Sequence, residues 1–195
     1  MKKFIKTWIV ALGILAFGLI MINKSNAQET ADVYLEVTEG TLTITASGSI
    51  DLWSVTAPTS AVDLSGQFST NSFYVTDFKG SASGYYTTVQ VTDLTGDNGG
   101  TTYTIPAANV EFKSNAATWV LMTGTANASV TLGSITTSYL AINDPITYFE
   151  RNDWTVWGIL SQYGDTPWVK VTVPAFQAAA QYHGTITFTL YEPGH

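Results

Sequence analysis

From about residue 33 onward the chain alternates apolar and polar residues with a period of two, and no long stretch holds apolar residues at helical spacing. Successive side chains of a strand point to opposite faces, so this pattern predicts half-buried strands and argues against amphipathic helices. Val33, Leu35 and Val37 alternate with polar neighbours, Glu39-Gly40 supplies a turn, and Leu42 and Ile44 resume the pattern as a first hairpin. Ile50 and Leu52 extend it past Gly48. Phe73, Val75 and Asp77 lead to a turn at Lys79-Gly80, and Thr87, Val89 and Val91 face away from Tyr86, Thr88 and Gln90. Asp93 to Gly100 is a dense cluster of turn formers.

Tyr103 and Ile105 precede Pro106, which stops a strand by removing a donor, and Val110 and Phe112 restart the pattern inward. Trp119 to Met122 reads as a buried run, and Val130, Leu132 and Ile135 as a further strand. Asn143 to Thr166 is rich in aromatics and less regular. Trp168 to Val173 ends at Pro174, and Ile186, Phe188 and Leu190 alternate with threonines in the last strand. Eight to eleven short strands with Gly and Pro between them predict an all-β fold, an antiparallel sandwich of immunoglobulin-like or jelly-roll-like form.

The amino terminus follows different rules. Lys2, Lys3 and Lys6 precede an uncharged apolar run from Trp8 to Ile22, and Ser25 and Ala27 put small residues at −3 and −1 of a cut after Ala27. These are the three parts of a secretory signal peptide. The run is shorter than the roughly 20 residues of a spanning helix. The expected organisation is therefore a signal peptide over 1–27 and a single sandwich domain over 28–195, secreted to the cell surface with no stable membrane insertion after cleavage.

Cleavage would remove four of the eight basic residues, leaving four against fifteen acids, a net charge of −11. Such a surface repels phosphate backbones and anionic lipid heads, which argues against nucleic acid and peripheral membrane partners. There are no cysteines, so neither disulfides nor a lipoprotein anchor is expected, and packing alone must hold the domain. The carboxyl-terminal residues show neither an apolar tail nor a sorting signal.

Catalysis is hard to assemble from these residues. The only histidines are His183, beside a turn, and His195, and no Gly-x-Ser-x-Gly elbow, HExxH or phosphate-binding loop occurs. Acids at turns, such as Asp63, Asp77, Asp153 and Asp165, are favoured there for backbone reasons, although a carboxylate pair for glycan hydrolysis is not excluded by counting. The chain is read as non-enzymatic and without a cofactor, a secreted hydrolase being a rival reading. Asp93, Asp97 and Asn98 are candidate calcium ligands from one Gly-rich loop, against the plainer reading of an Asx-type hairpin turn.

Six tryptophans and ten tyrosines are many for 195 residues. Most should fill the core, but Trp154, Trp157 and Trp168 lie beside turn residues and are candidates for stacking on sugar rings or a neighbouring subunit. Val33, Leu35, Val37, Leu42 and Ile44 lie directly behind the cleavage site. A free strand there is a candidate for addition to a neighbour's sheet edge, giving a filament or matrix subunit.

Val171-Thr172-Val173-Pro174 followed by Tyr182 to Pro193 resembles the closing stretch of WxL-domain proteins, bacterial surface proteins whose last strand carries Thr-Trp-x-Leu. Phe188 stands at the Trp position and Leu190 matches. Val75-Thr76-Asp77-Phe78-Lys79-Gly80 and Gly84-Tyr85-Tyr86-Thr87 echo the first signature, with Tyr85 for Trp and Thr87 for Leu. The resemblance covers about Phe73 to Asp93 and Trp168 to Pro193. It implies a noncatalytic protein held on cell-wall glycan or a surface partner, with Tyr85, Phe188 and Leu190 as contact candidates.

Overall fold

The computed structural model describes residues 35–36, 40–69, 72–80, 84–116, 119–152 and 160–192. Residues Thr38–His195 form one compact unit that contains every described strand; of the preceding unit, only Leu35 and Glu36 are described, and both are exposed. Among the described residues no helix is long and apolar enough to cross a membrane. The fold is all-β, an antiparallel sandwich, and among the described residues the one helical element is a 3-10 turn at Ala107–Asn109.

Fourteen strands are described: β1 Leu42–Ala46, β2 Val62–Gln67, β3 Phe73–Asp77, β4 Tyr85–Val91, β5 Leu94–Asn98, β6 Thr101–Ile105 and β7 Val110–Lys113. They continue as β8 Val120–Gly124, β9 Val130–Leu132, β10 Leu140–Ala141, β11 Ile146–Arg151, β12 Ser161–Asp165, β13 Trp168–Val173 and β14 Ile186–Tyr191. Three four-stranded sheets, ordered β1-β3-β12-β8, β10-β7-β13-β2 and β14-β4-β11-β9, stand with the hairpin β5-β6.

The first two sheets are halves of one kinked layer. The chain passes directly from β12 to β13, and β2-β3 and β7-β8 follow the same order on either side. A hydrogen bond from Phe68 N to Pro167 O carries the ladder across the kink. The third sheet is the opposing layer, and the core lies between them. Phe73 of β3, Phe112 of β7 and Phe188 of β14 converge on the Tyr148 ring at centroid distances of 4.9, 5.0 and 6.0 Å.

Alternation accounts for the inward face of β4, where Tyr85, Thr87, Val89 and Val91 are buried. In β11 it fails. The register against β4 shifts between Thr147 and Phe149, a bulge that turns the consecutive residues Tyr148 and Phe149 both inward. The buried run expected at Trp119 to Met122 is corrected: Trp119, just before β8, is buried, but Val120 and Leu121 are exposed, because β8 is an edge strand paired with β12 alone among the described residues.

The cluster Asp93–Gly100 is a correction to the loop expected there. Leu94–Asn98 pairs with Thr101–Ile105, and only Gly99 and Gly100 form the turn, at φ 64° and 86°. A two-residue hairpin turn with both residues left-handed matches strand twist, and glycine adopts it without a Cβ clash. Ile50 and Leu52 are likewise corrected: they lie in an irregular segment, and their side chains rest against the inner side of Gly66 in β2.

Candidate functional site

Two buried carboxylates lie inside the sandwich. Asp165, at the end of β12, accepts hydrogen bonds from the Tyr148 hydroxyl at 2.6 Å, the Ser114 hydroxyl at 2.7 Å, Thr166 N at 2.7 Å and Asn115 N at 3.3 Å. Burial and the Asp165 carboxylate together push the Tyr148 hydroxyl well above the ordinary tyrosine range, so it remains a donor. Asp77 and Arg151, both buried, form an ion pair between β3 and β11. Burial pushes the Asp77 carboxyl up by more than the Arg151 guanidinium pulls it down. Both carboxylates are committed to protein donors and hold layers together.

The open face of the molecule is a groove of about 1040 Å³ at the edge of the sandwich. Its floor is the inner side of β13 (Val169, Val171, Val173) and of β14 (Ile186, Phe188), and its walls are the segments 46–58 and 177–185. Two exposed aromatics stand on these walls and beside them: Trp53 at 84% exposure and Phe176 at 82%. Both have left-handed backbones, φ 69° and 60°, which costs an aromatic residue roughly 1–2 kcal/mol. The Trp53 turn is closed by its N–H donating to Asp51 Oδ1 at 2.9 Å, and Phe176 N donates to Pro58 O at 2.7 Å, tying the two walls together. Sequence patterning singled out neither residue, because nothing local distinguishes an exposed aromatic from a core one.

The outer face of the kinked layer carries a second cluster. The Lys113 ammonium lies 4.6 Å from the Tyr139 ring centroid and 5.6 Å from that of Trp168. Trp168 is half-buried, and its indole N–H donates to Asn115 Oδ1 at 3.1 Å, which fixes the ring plane. The Lys170 ammonium lies 5.0 Å from the Tyr139 ring centroid and is ion-paired with Glu111, which holds it above the ordinary lysine range. Lys113 forms no ion pair among the described residues.

The remaining candidates fall elsewhere. Tyr85 is buried at 2% exposure on the inner face of β4, with no hydrogen-bond partner for its hydroxyl among the described residues. Phe188 is a core ring 4.7 Å from Phe73, and Leu190 is half-buried against the same core. The two segments carrying the WxL resemblance therefore lie on hydrogen-bonded neighbours, with Leu190 opposite Thr87, but their candidate side chains point inward and Tyr85 offers no surface to a glycan. Trp154 and Trp157 lie outside the described residues, as do Val33 and Val37.

Leu42 and Ile44 belong to β1, an edge strand in which both are half-buried and paired on one side with β3. Leu35 is 85% exposed. Asp93 accepts from Ala107 N at 2.8 Å and Asp97 from Gly100 N at 3.2 Å, while Asn98 ends β5. These carboxylates serve backbone N–H groups, and among the described residues no three His, Cys, Asp or Glu side chains gather as a metal ion needs. In the groove, Asp51 is the one carboxylate and His183 the one imidazole among the described lining residues, so the carboxylate pair of a glycoside hydrolase is not assembled there. No protein-family model matches the chain, and no curated protein and no solved structure is significantly similar to it.

Proposed function

We propose that the chain is exported, loses residues 1–27, and works as a non-catalytic adhesive module of the bacterial cell surface that holds envelope glycan. The observation that carries this reading is the Lys113–Tyr139–Trp168 cluster on the outer face of the kinked layer. Sugar rings present C–H faces to aromatic rings, and the Lys113 ammonium can donate to hydroxyl and acetamido oxygens. A neutral glycan suits the acidic surface better than a phosphate-rich one. The WxL resemblance points to the same class of protein, carried here by other residues than those of its signature positions.

Mature protein should sediment with purified peptidoglycan. Trp168→Ala and Tyr139→Ala should each lower the bound fraction by about tenfold in affinity, roughly 1.4 kcal/mol, while Trp168→Phe retains most of it. Equal thermal stability of the variants separates lost contact from lost fold. Wild-type protein that stays in the supernatant, or a folded Trp168→Ala that binds undiminished, overturns the reading. Mass spectrometry of the exported protein should give a chain beginning at Gln28, and one retaining residues 1–27 overturns the export step.

A further inference from the structure

We propose that the two aromatic loops at the groove form a tip that docks on a zwitterionic membrane surface, with Trp53 and Phe176 entering the headgroup region. This surface is separate from the glycan cluster and does not depend on it: Trp168 begins β13, whereas Phe176 follows the other end of that strand.

The tip is first visible as a gap in the charge pattern. Residues 52–62 and 171–182 contain no Asp, Glu, Lys or Arg, in a chain whose residues 28–195 hold fifteen acids against four bases. The fold brings these two stretches together. Both wall the same groove, and the hydrogen bond from Phe176 N to Pro58 O joins them. Trp53, Val55 and Ala57 of the first loop are exposed, and so are Ala175, Phe176 and Ala179 of the second.

An apolar side chain left in water forgoes the burial that drives folding, and the two largest here are held out against strain as well. Trp53 and Phe176 are the two non-glycine residues with positive φ among the described residues, at 69° and 60°. Such backbones persist only where the surroundings hold them, and they gather at binding sites. Here the Asp51 carboxylate, accepting from Trp53 N, and the Pro58 carbonyl, accepting from Phe176 N, do the holding.

The chemistry of the tip selects a lipid surface. An indole is apolar with one polar N–H, and it settles where headgroups meet acyl chains. Val55, Ala57 and Ala175 add apolar contact around it, and interfacial binding grows with the apolar area buried. The lipid must be zwitterionic, because anionic headgroups repel the acids of the rest of the molecule and neither loop carries a basic residue to offset this. A choline headgroup presents a quaternary ammonium, for which the Trp53 ring is a cation–π face. The exposed Asp51 carboxylate beside it supplies counter-charge, and no basic side chain pairs with Asp51 among the described residues. A second copy of this chain carries the same excess of acids and is repelled.

The test uses mature protein, residues 28–195. It should float with phosphatidylcholine vesicles in a density gradient, and brominated acyl chains in those vesicles should quench its tryptophan emission. Trp53→Gly and Phe176→Gly should each lower the partition coefficient by about tenfold. Both should melt close to the wild-type temperature, because glycine takes a left-handed backbone without strain, which offsets its extra freedom in the unfolded chain. Trp53→Phe should keep most of the binding and lose part of the quenching. Added phosphatidylserine should weaken binding, and salt should restore it by screening the repulsion. Wild type that stays at the bottom of the gradient overturns the proposal, as does a folded double glycine variant that floats like wild type. Binding that strengthens with phosphatidylserine would place the contact elsewhere on the molecule. Concentration-dependent dimers abolished by the double variant would make a second copy the occupant, and either result overturns the proposal too.

Discussion

Replacing Asp165 with alanine should destabilise the protein by about 3–5 kcal/mol, enough to remove much of the stability of a domain this size. The carboxylate is 5% exposed and gathers donors from three places in the chain: Tyr148 on the bulge of β11, Ser114 and Asn115 after β7, and Thr166 after β12 itself. Removing it leaves the Tyr148 hydroxyl and the Asn115 N–H without this acceptor where water does not easily replace it, while the Ser114 hydroxyl still has Ala116 O at 2.7 Å. Each buried donor left unsatisfied costs about 1–3 kcal/mol. Asp165→Asn should cost less, since its carbonyl still accepts from part of the set. Tyr148→Phe removes one donor and keeps the ring contacts with Phe73 and Phe112, so it should cost about 1 kcal/mol. Urea unfolding of the three variants gives the order, and Asp165→Ala no worse than Tyr148→Phe would show that the network does not hold the layers.

Arg151→Met should be about as damaging at neutral pH, and its damage should shrink on acidification. The substitution strands the Asp77 carboxylate at 2% exposure without its guanidinium partner, and breaking a buried pair in this way costs about 3–5 kcal/mol. With the guanidinium gone, only the weaker pull of the Lys79 N–H and ammonium offsets the desolvation that already raises Asp77, so its folded pKa lies further above the unfolded one. The folded state then holds the proton more tightly, and stability lost at neutral pH returns as pH falls through the folded pKa. The wild type should show the same sign more weakly, its Asp77 contribution declining as pH rises from about 4 upward. Asp77→Leu with Arg151→Met should recover most of the loss, because an apolar pair of similar volume carries no desolvation penalty. Melting temperatures of the single and double variants between about pH 4 and pH 7 decide this, and a gap that stays constant across the range would count against the pair.

Parts of the fold escape a reading of residues in order, and the glycines show why. Strands β2, β5 and β12 each contain a glycine, polar neighbours, or both, and the alternation that marks β4 and β14 is blurred in them. Those glycines answer to distant neighbours. A Cβ on Gly96 would lie 2.9 Å from Ala180 Cβ, and one on Gly164 would lie 2.6 Å from Met122 Sδ. A strand that must be thin because another segment crosses it gives no signal within its own window. The glycan cluster was half legible, since Trp168 stood out as a tryptophan beside a turn, whereas Lys113 and Tyr139 became its neighbours only through the pairing of β13 with β7 and of β7 with β10.

By itself the sequence determined that the chain is built from strands, and for β4, β7 and β14 which side chains face inward, because side-chain direction in a strand is a local property with period two. It also determined the acidic balance of residues 28–195 and the alternating segment ahead of β1. The tertiary structure alone decided that Asp77 meets Arg151 across 74 positions, that Asp165 meets Ser114 across 51, and that two adjacent aromatics turn inward at one bulge. It alone left Trp53 and Phe176 in water. Register between distant strands is set by how the whole core packs, and no window of neighbouring residues contains that sum.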